Sequence, residues 1–165
     1  MKIGKGVEWA AHACVLLAAL PEGRALPGEA LAAFLGVPQP YMAKQLQALS
    51  RAGVVIAQRG AAGGYRLARP AAEISLWDVT AAVEGEAPSF RCAEVRRNGP
   101  CGAAPAECAR PCAIAAAFHE AESGYRRALA AAPLTELVAN ITREASAARK
   151  QRIAAWIEQH ATKRA

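Results

Sequence analysis

Alanine supplies 43 of the 165 residues, and aromatic residues only 5%. That composition favours helix over a large sheet. One stretch is not built for helix. Val54-Val55-Ile56 is β-branched, Gly60-Ala61-Ala62-Gly63-Gly64 is a turn, Tyr65-Arg66-Leu67 alternates, and Pro70 closes the segment. This reads as a β-hairpin with a glycine-rich tip. Three helices are expected ahead of it. The first covers about 7–20, with Val7, Ala11, Cys14, Val15 and Ala18 at helical spacing, and ends at Pro21-Glu22-Gly23. The second covers about 28–35 and closes at Gly36. The third opens at Pro38 or Gln39, carries Tyr41, Met42, Leu46 and Leu49, and ends at Gly53. The fold class is therefore mainly α with one small β-hairpin.

Beyond the hairpin, a fourth helix is expected over about 76–83. Ser75 is its cap, and Asp78 favours the positive helix end. Residues 85–112 are rich in Gly, Pro and Cys and read as a loop. A long helix follows, with Ile114, Phe118, Ala121, Tyr125 and Leu129 in one stripe, until Pro133 breaks it. Shorter helices around Leu134–Ile141 and near Trp156 complete the chain. The domains are set at 1–84, 85–112, 113–132 and 133–165. The longest apolar run, Ala10–Leu20, contains His12 and is far short of the roughly 20 residues that span a bilayer. It follows Lys2 and Lys5 as a signal peptide would, but Glu8 precedes it and no small-residue cleavage site follows. The expectation is a cytoplasmic protein, where clustered cysteines point to metal or redox chemistry before disulfides.

The formal charge is +6, distributed unevenly. Residues 1–69 carry 8 basic and 3 acidic side chains, residues 70–142 carry 6 and 9, and residues 143–165 carry 6 and 2. A basic first half points to an anionic partner, with nucleic acid ahead of a merely solvated surface. Two short helices, the connection Gly36-Val37-Pro38-Gln39-Pro40, a third helix and a hairpin together make a winged helix-turn-helix. The third helix would enter the major groove of double-stranded DNA by its N-terminal end, presenting Gln39, Tyr41, Lys44 and Gln45. Arg59 at the hairpin tip, beside Gly60 and Gly63, could enter a minor groove or clamp phosphate.

The runs Leu46–Val55, Arg59–Pro70, Glu73–Val79 and Ala82–Gly85 resemble one bacterial family, the winged-helix regulators of IscR, NsrR and RsrR. The resemblance covers about residues 1–130. It implies a homodimeric transcription factor bound to a near-palindromic operator. It also makes the long helix over 113–132 a dimerisation helix and the segment over 85–112 a cluster-binding loop. The tail after about 140 carries little of it.

The chain holds five cysteines, an odd number that argues against a fully paired disulfide framework. Cys14 falls on the apolar face of the first helix and reads as buried and inert. Cys92, Cys101, Cys108 and Cys112 all lie in the loop. Only Cys108 and Cys112 approach the close spacing of zinc ligands, so zinc is weakly supported. The spacing also departs from the regular three-cysteine pattern common in the family. It is most similar to that of RsrR, the redox-sensing member with a 2Fe–2S cluster, as are Gly6-Val7-Glu8-Trp9-Ala10 with His12 and Phe90-Arg91-Cys92-Ala93-Glu94. That resemblance implies a 2Fe–2S cluster held by Cys92 and Cys112 of one chain and by Glu8 and His12 of the other. Glu8 and His12, four residues apart, share a helix face. Trp9 beside them is interfacial packing or a shield that moves with redox state.

Alternatives stay open. A second reading makes Glu8 a charge that serves only the helix dipole, and His12 an ordinary semi-buried histidine. Cys101 and Cys108 compete as ligands in a three- or four-cysteine cluster, and a cluster-free regulator or a thiol switch would need no metal. A small iron–sulfur electron carrier would explain the cysteines but not the hairpin. No Ser/His/Asp set, phosphate loop or matched pair of acids supports an enzyme.

Overall fold

A computed structural model describes residues 3–58, 60 and 63–163, apart from the Lys163 side chain. The elements run α1 (Lys5–Ala18), β1 (Arg24–Ala25), α2 (Gly28–Leu35), α3 (Gln39–Arg51), β2 (Val55–Gln58), β3 (Gly64–Leu67), α4 (Leu76–Glu84), α5 (Ala113–Ala130), α6 (Leu134–Glu144), α7 (Ala147–His160) and β4 (Thr162–Lys163). The chain divides into two compact units. One joins residues up to Gly85 to those from Leu129 onward, and the other is 86–128. No helix among the described residues is long and apolar enough to cross a membrane.

The larger unit packs helix on helix. α1 buries Val7, Ala10, Ala13, Cys14 and Leu17 at three- and four-residue steps. The same core takes in Leu31 of α2, Met42, Leu46 and Leu49 of α3, Val79 of α4, Leu134 of α6 and Ile157 of α7. Small alanines on α1 let these helices approach closely, so the alanine-rich composition serves packing as well as helix propensity. α2 ends at Gly36 in the left-handed region, φ 64°, where glycine carries no Cβ penalty. Ser75 caps α4 by a complete capping box. Its hydroxyl accepts from the Asp78 N–H at 3.2 Å, and its own N–H donates to Asp78 Oδ2 at 2.7 Å. Arg69 ties this cap to the hairpin: Nη2 meets Asp78 Oδ1 at 3.0 Å, and Nη1 donates to the Gly53 carbonyl at 3.1 Å.

The hairpin pairs Val55 with Leu67 through to Gln58 with Gly64, antiparallel. A third strand-like segment joins it, because Leu26 and Tyr65 exchange both backbone bonds at 3.0 and 2.7 Å. Gly64 makes this approach possible. A Cβ there would sit 2.7 Å from the Leu26 carbonyl carbon, where nothing can yield. The sequence pattern reads a two-stranded hairpin and leaves Arg24–Leu26 outside it. Two-residue strands carry no alternation to read, so only the tertiary pairing shows them. The chain end returns to the same place, as β4 pairs antiparallel with β1.

The smaller unit holds the cysteine-rich stretch. The expected loop contains two 3-10 turns, Val95–Arg97 and Pro105–Cys108, before α5 begins. Glu122 is a buried acid on α5, 8% exposed. Its carboxylate accepts from Arg126 Nη2 at 2.7 Å and from the Ser89 N–H at 3.2 Å. The Arg126 bond and then the Ser89 N–H hold this carboxyl below the usual carboxylate range against the opposing effect of burial. The start of the loop is thereby fastened to α5.

Candidate nucleic-acid interface and cysteine loop

α3 starts with the residues a helix N-terminus accepts. Pro40 stands in its first turn, where its missing N–H costs nothing. Gln39, Tyr41 and Lys44 are exposed, with Tyr41 at 57%. Gln45 is not. It is 7% exposed and packs against Gly6 of α1, where an added Cβ would lie 3.0 Å from its Nε2. Helical phase explains the correction. Gln45 follows Met42 by three residues and precedes Leu49 by four, so it shares their inward stripe. Its chemistry suits a base edge; its register does not present it to one. Gln47, one turn after the exposed Ala43 and Lys44, takes the outward position instead. The sequence expectation passed over Gln47, although the same phase counting marks it.

At the hairpin tip, Arg59 lies outside the described residues. Gly60 is exposed with φ 102°, and its carbonyl accepts from the Gly63 N–H at 2.8 Å in a tight turn.

Glu8 and His12 are both exposed on α1. Among the described residues, neither side chain has a hydrogen-bond or ion-pair partner. Between them Trp9 is half-buried, and its ring meets that of Tyr41 edge-on, centroids 6.0 Å apart at 63°. Trp9, next to Glu8 in sequence, thus touches an exposed residue of α3.

In the smaller unit, Cys92 and Cys101 are exposed and Cys108 and Cys112 half-buried. The Glu94 N–H donates to Cys92 Sγ at 3.4 Å, and the Ala115 N–H donates to Cys112 Sγ at 3.3 Å. Cys112 so stands just ahead of α5, its sulfur accepting from an N–H of the first helical turn. Arg96 spans the two segments. Its Nε donates to Glu94 Oε1 at 2.6 Å and its Nη2 to the Arg110 carbonyl at 2.9 Å. The Glu94 bond raises the guanidinium pKa against the opposing effect of desolvation, and the Glu94 charge adds to it. Glu94 itself adopts φ 51°, a left-handed conformation that is unfavourable for a residue with a Cβ. The clasp over 94–110 therefore fixes the chain beside Cys92 and beside Cys112. Among the described residues, no group of three or more His, Cys, Asp and Glu side chains is arranged to hold a metal within one chain.

On α5 the expected apolar stripe faces outward at its start: Ile114 is 68% and Phe118 52% exposed, and Phe118 stacks on Phe90 at 4.6 Å. Cys14 is fully buried, and burial pushes its thiol up to about 12. It is the inert cysteine its position on α1 suggests.

A family model described as an iron-dependent transcriptional regulator, Rrf2, matches residues 3–140. The HTH-type transcriptional regulator YffB of Lactococcus lactis is 31% identical over 137 residues, 83% of this chain and 86% of that protein. YwgB of Bacillus subtilis, of the same named type, is 36% identical over 91 residues, and the match spans only 58% of its length. Among solved structures, T. potens IscR has a TM-score of 0.66 at 19% identity, covering 88% of this chain and 93% of that one. The oxidised form of Staphylococcus aureus CymR has a TM-score of 0.62 at 23% identity, covering 84% and 96%. CymR of B. subtilis, titled the global cysteine regulator, has a TM-score of 0.63 at 20% identity, covering 85% and 98%. At these identities the likeness to solved structures shows the winged-helix fold.

Proposed function

The chain belongs to the Rrf2 family of DNA-binding transcriptional regulators, and on that premise we propose that it is a homodimeric, redox-sensing regulator whose 2Fe–2S cluster is held between two chains. Gln39, Tyr41 and Lys44, with Gln47, read the major groove from α3. Gly60, Gly63 and Arg59 of the wing meet the adjacent backbone or minor groove. The exposed Ile114 and Phe118 of α5 supply apolar area for a second copy.

Cys92 and Cys112 would hold the cluster from one chain, and Glu8 and His12 from its partner, the ligand set of RsrR. The donor set fits: two thiols each already turned toward a backbone N–H, and a carboxylate and an imidazole on one helix face with no competing partner among the described residues. When bound, such a cluster supplies a one-electron couple, which histidine ligation raises relative to four thiolates. The chain's own residues do the rest. Arg96 holds the two cysteine segments together through Glu94 and the Arg110 carbonyl. Trp9 carries the reading, because it sits between Glu8 and His12 in sequence and meets Tyr41 at 6.0 Å. A change in how Glu8 and His12 are engaged therefore acts on the helix that reads DNA. This is allostery in the strict sense only if DNA affinity differs between redox states.

The test is anaerobic purification followed by absorbance, iron analysis and DNA binding in both redox states. About two iron and two sulfide per chain are expected. His12→Ala should impair cluster loading and Cys101→Ala should not. A colourless protein with one zinc would overturn the cluster. A second reading is a cluster-free regulator working through its thiols, favoured by the exposure of Cys92 and Cys101. Unchanged, redox-insensitive DNA binding by Cys92→Ala would select it. Loss of iron on replacing Cys101 or Cys108 would select a three- or four-cysteine cluster.

A further inference from the structure

The basic C-terminal segment has no role in the reading above, yet its strand Thr162–Lys163 lies at the base of the wing. α7 is anchored on α2 by Trp156, whose ring packs on Phe34 at 4.8 Å. After α7 the chain straightens into β4, which pairs Thr162 with Ala25. Three side-chain bonds reinforce this seam. Arg24 donates to Glu158 Oε1 at 2.6 Å and to the Ala161 carbonyl at 3.0 Å. The Thr162 hydroxyl lies 3.2 Å from the Ala25 carbonyl and 3.3 Å from the Gly63 carbonyl. Its single proton can serve either acceptor. Gly63 belongs to the turn of the wing, and Leu26, next to Ala25, exchanges both backbone bonds with Tyr65 of β3. The last strand therefore touches the wing twice, directly at its turn and through β1.

We infer that Thr162 and Arg24 are positioning residues for DNA binding: the C-terminal strand is a strap that sets the wing against DNA while α3 reads the groove. An isolated two-stranded ribbon is marginally stable in water. β1 and β4 extend this one on a side where it has no other strand, and they join it to the helical core through α7. The inference rests on the wing's contact with DNA proposed above.

The experiment uses the full-length protein and a duplex that it selects from a random-sequence pool. Thr162→Pro removes the hydroxyl and a strand N–H; Thr162→Val removes the hydroxyl alone. Thr162→Pro should weaken binding about ten-fold, the scale of one or two lost hydrogen bonds, and Thr162→Val less. Hydroxyl-radical protection should be lost where the wing lies and kept where α3 lies. The dependence of log affinity on log salt should become shallower by about 0.9 for each lost phosphate contact. Arg59→Ala should cost little in the Thr162→Pro background, because both act through the wing. Thr162→Ser should bind as the parent does, and so should the double variant Lys163→Gln, Arg164→Gln, which keeps the strap and removes its charge.

Parent-like affinity and protection for Thr162→Pro would overturn the inference. So would strict additivity with Arg59→Ala, or a full loss reproduced by the charge-removing double variant, which would make the tail a direct phosphate contact. If the parent selects no duplex at all, the DNA-binding reading falls first.

Discussion

Gly64→Ala tests the junction on which the wing depends. The new Cβ would lie 2.7 Å from the Leu26 carbonyl carbon, 2.8 Å from its oxygen and 3.1 Å from its nitrogen. All three are backbone atoms of a fully buried residue, so no side chain can swing aside. Relief requires β3 and the Leu26 segment to separate, which breaks the bonds of 3.0 and 2.7 Å between Leu26 and Tyr65. Two lost bonds cost about 1 kcal/mol each, and the forced repacking costs about 1–3 kcal/mol. The sum is roughly 3–5 kcal/mol, and at roughly 2–4 °C per kcal/mol for a chain of this size it should lower Tm by about 6–20 °C. Gly53→Ala is the control. Gly53 has φ 67° with no atom within 4 Å of a new Cβ, so only the left-handed backbone penalty of about 1–2 kcal/mol applies. Denaturant melts of both variants, paired with DNA binding, separate the two effects. A Gly64→Ala protein no less stable than Gly53→Ala would refute the close-approach argument.

Asp78→Asn should destabilise the protein by roughly 1 kcal/mol, since the acid is partly solvated and its pair with Arg69 screened. Burial raises the Asp78 pKa, but the Ser75 bonds and Arg69 outweigh it and hold it below its ordinary value. The folded pKa is the depressed one, so this contribution is present above the unfolded carboxyl pKa and lost as pH falls through the folded one. Acid melts of the Asn variant should show a shallower loss over that range; an identical acid limb would remove Asp78 from the account. In metal-free, reduced protein, iodoacetamide should label the exposed Cys92 and Cys101 and spare Cys14 until the protein unfolds, as peptide mapping would show. Native-state labelling of Cys14 would mean that α1 opens locally.

Local chemistry was legible in the sequence wherever the cause was local. α2 begins and ends where Pro27 and Gly36 require. The Ser75 cap and Asp78 read correctly because a capping box spans only four residues. α1 was expected two residues too late at each end, since helix boundaries rest on weak terminal bonds. Gln45 was misassigned because residue chemistry was weighed ahead of helical phase. Glu122 gave no sign of burial, because its stabilising partners are the Ser89 N–H, 33 residues away, and Arg126 one turn on.

The sequence by itself determined the α-helices, the glycine-rich hairpin and the family. Each of these is written in short-range pattern: period, cap, turn and motif. Tertiary structure alone decided that Trp9 meets Tyr41, that Leu26 joins the hairpin, and that Thr162 returns to the wing. Those are meetings between segments as far apart as Ala25 and Thr162. A two-residue strand has too little pattern to announce its partner, so its place is set by the packing of the helices that carry it there.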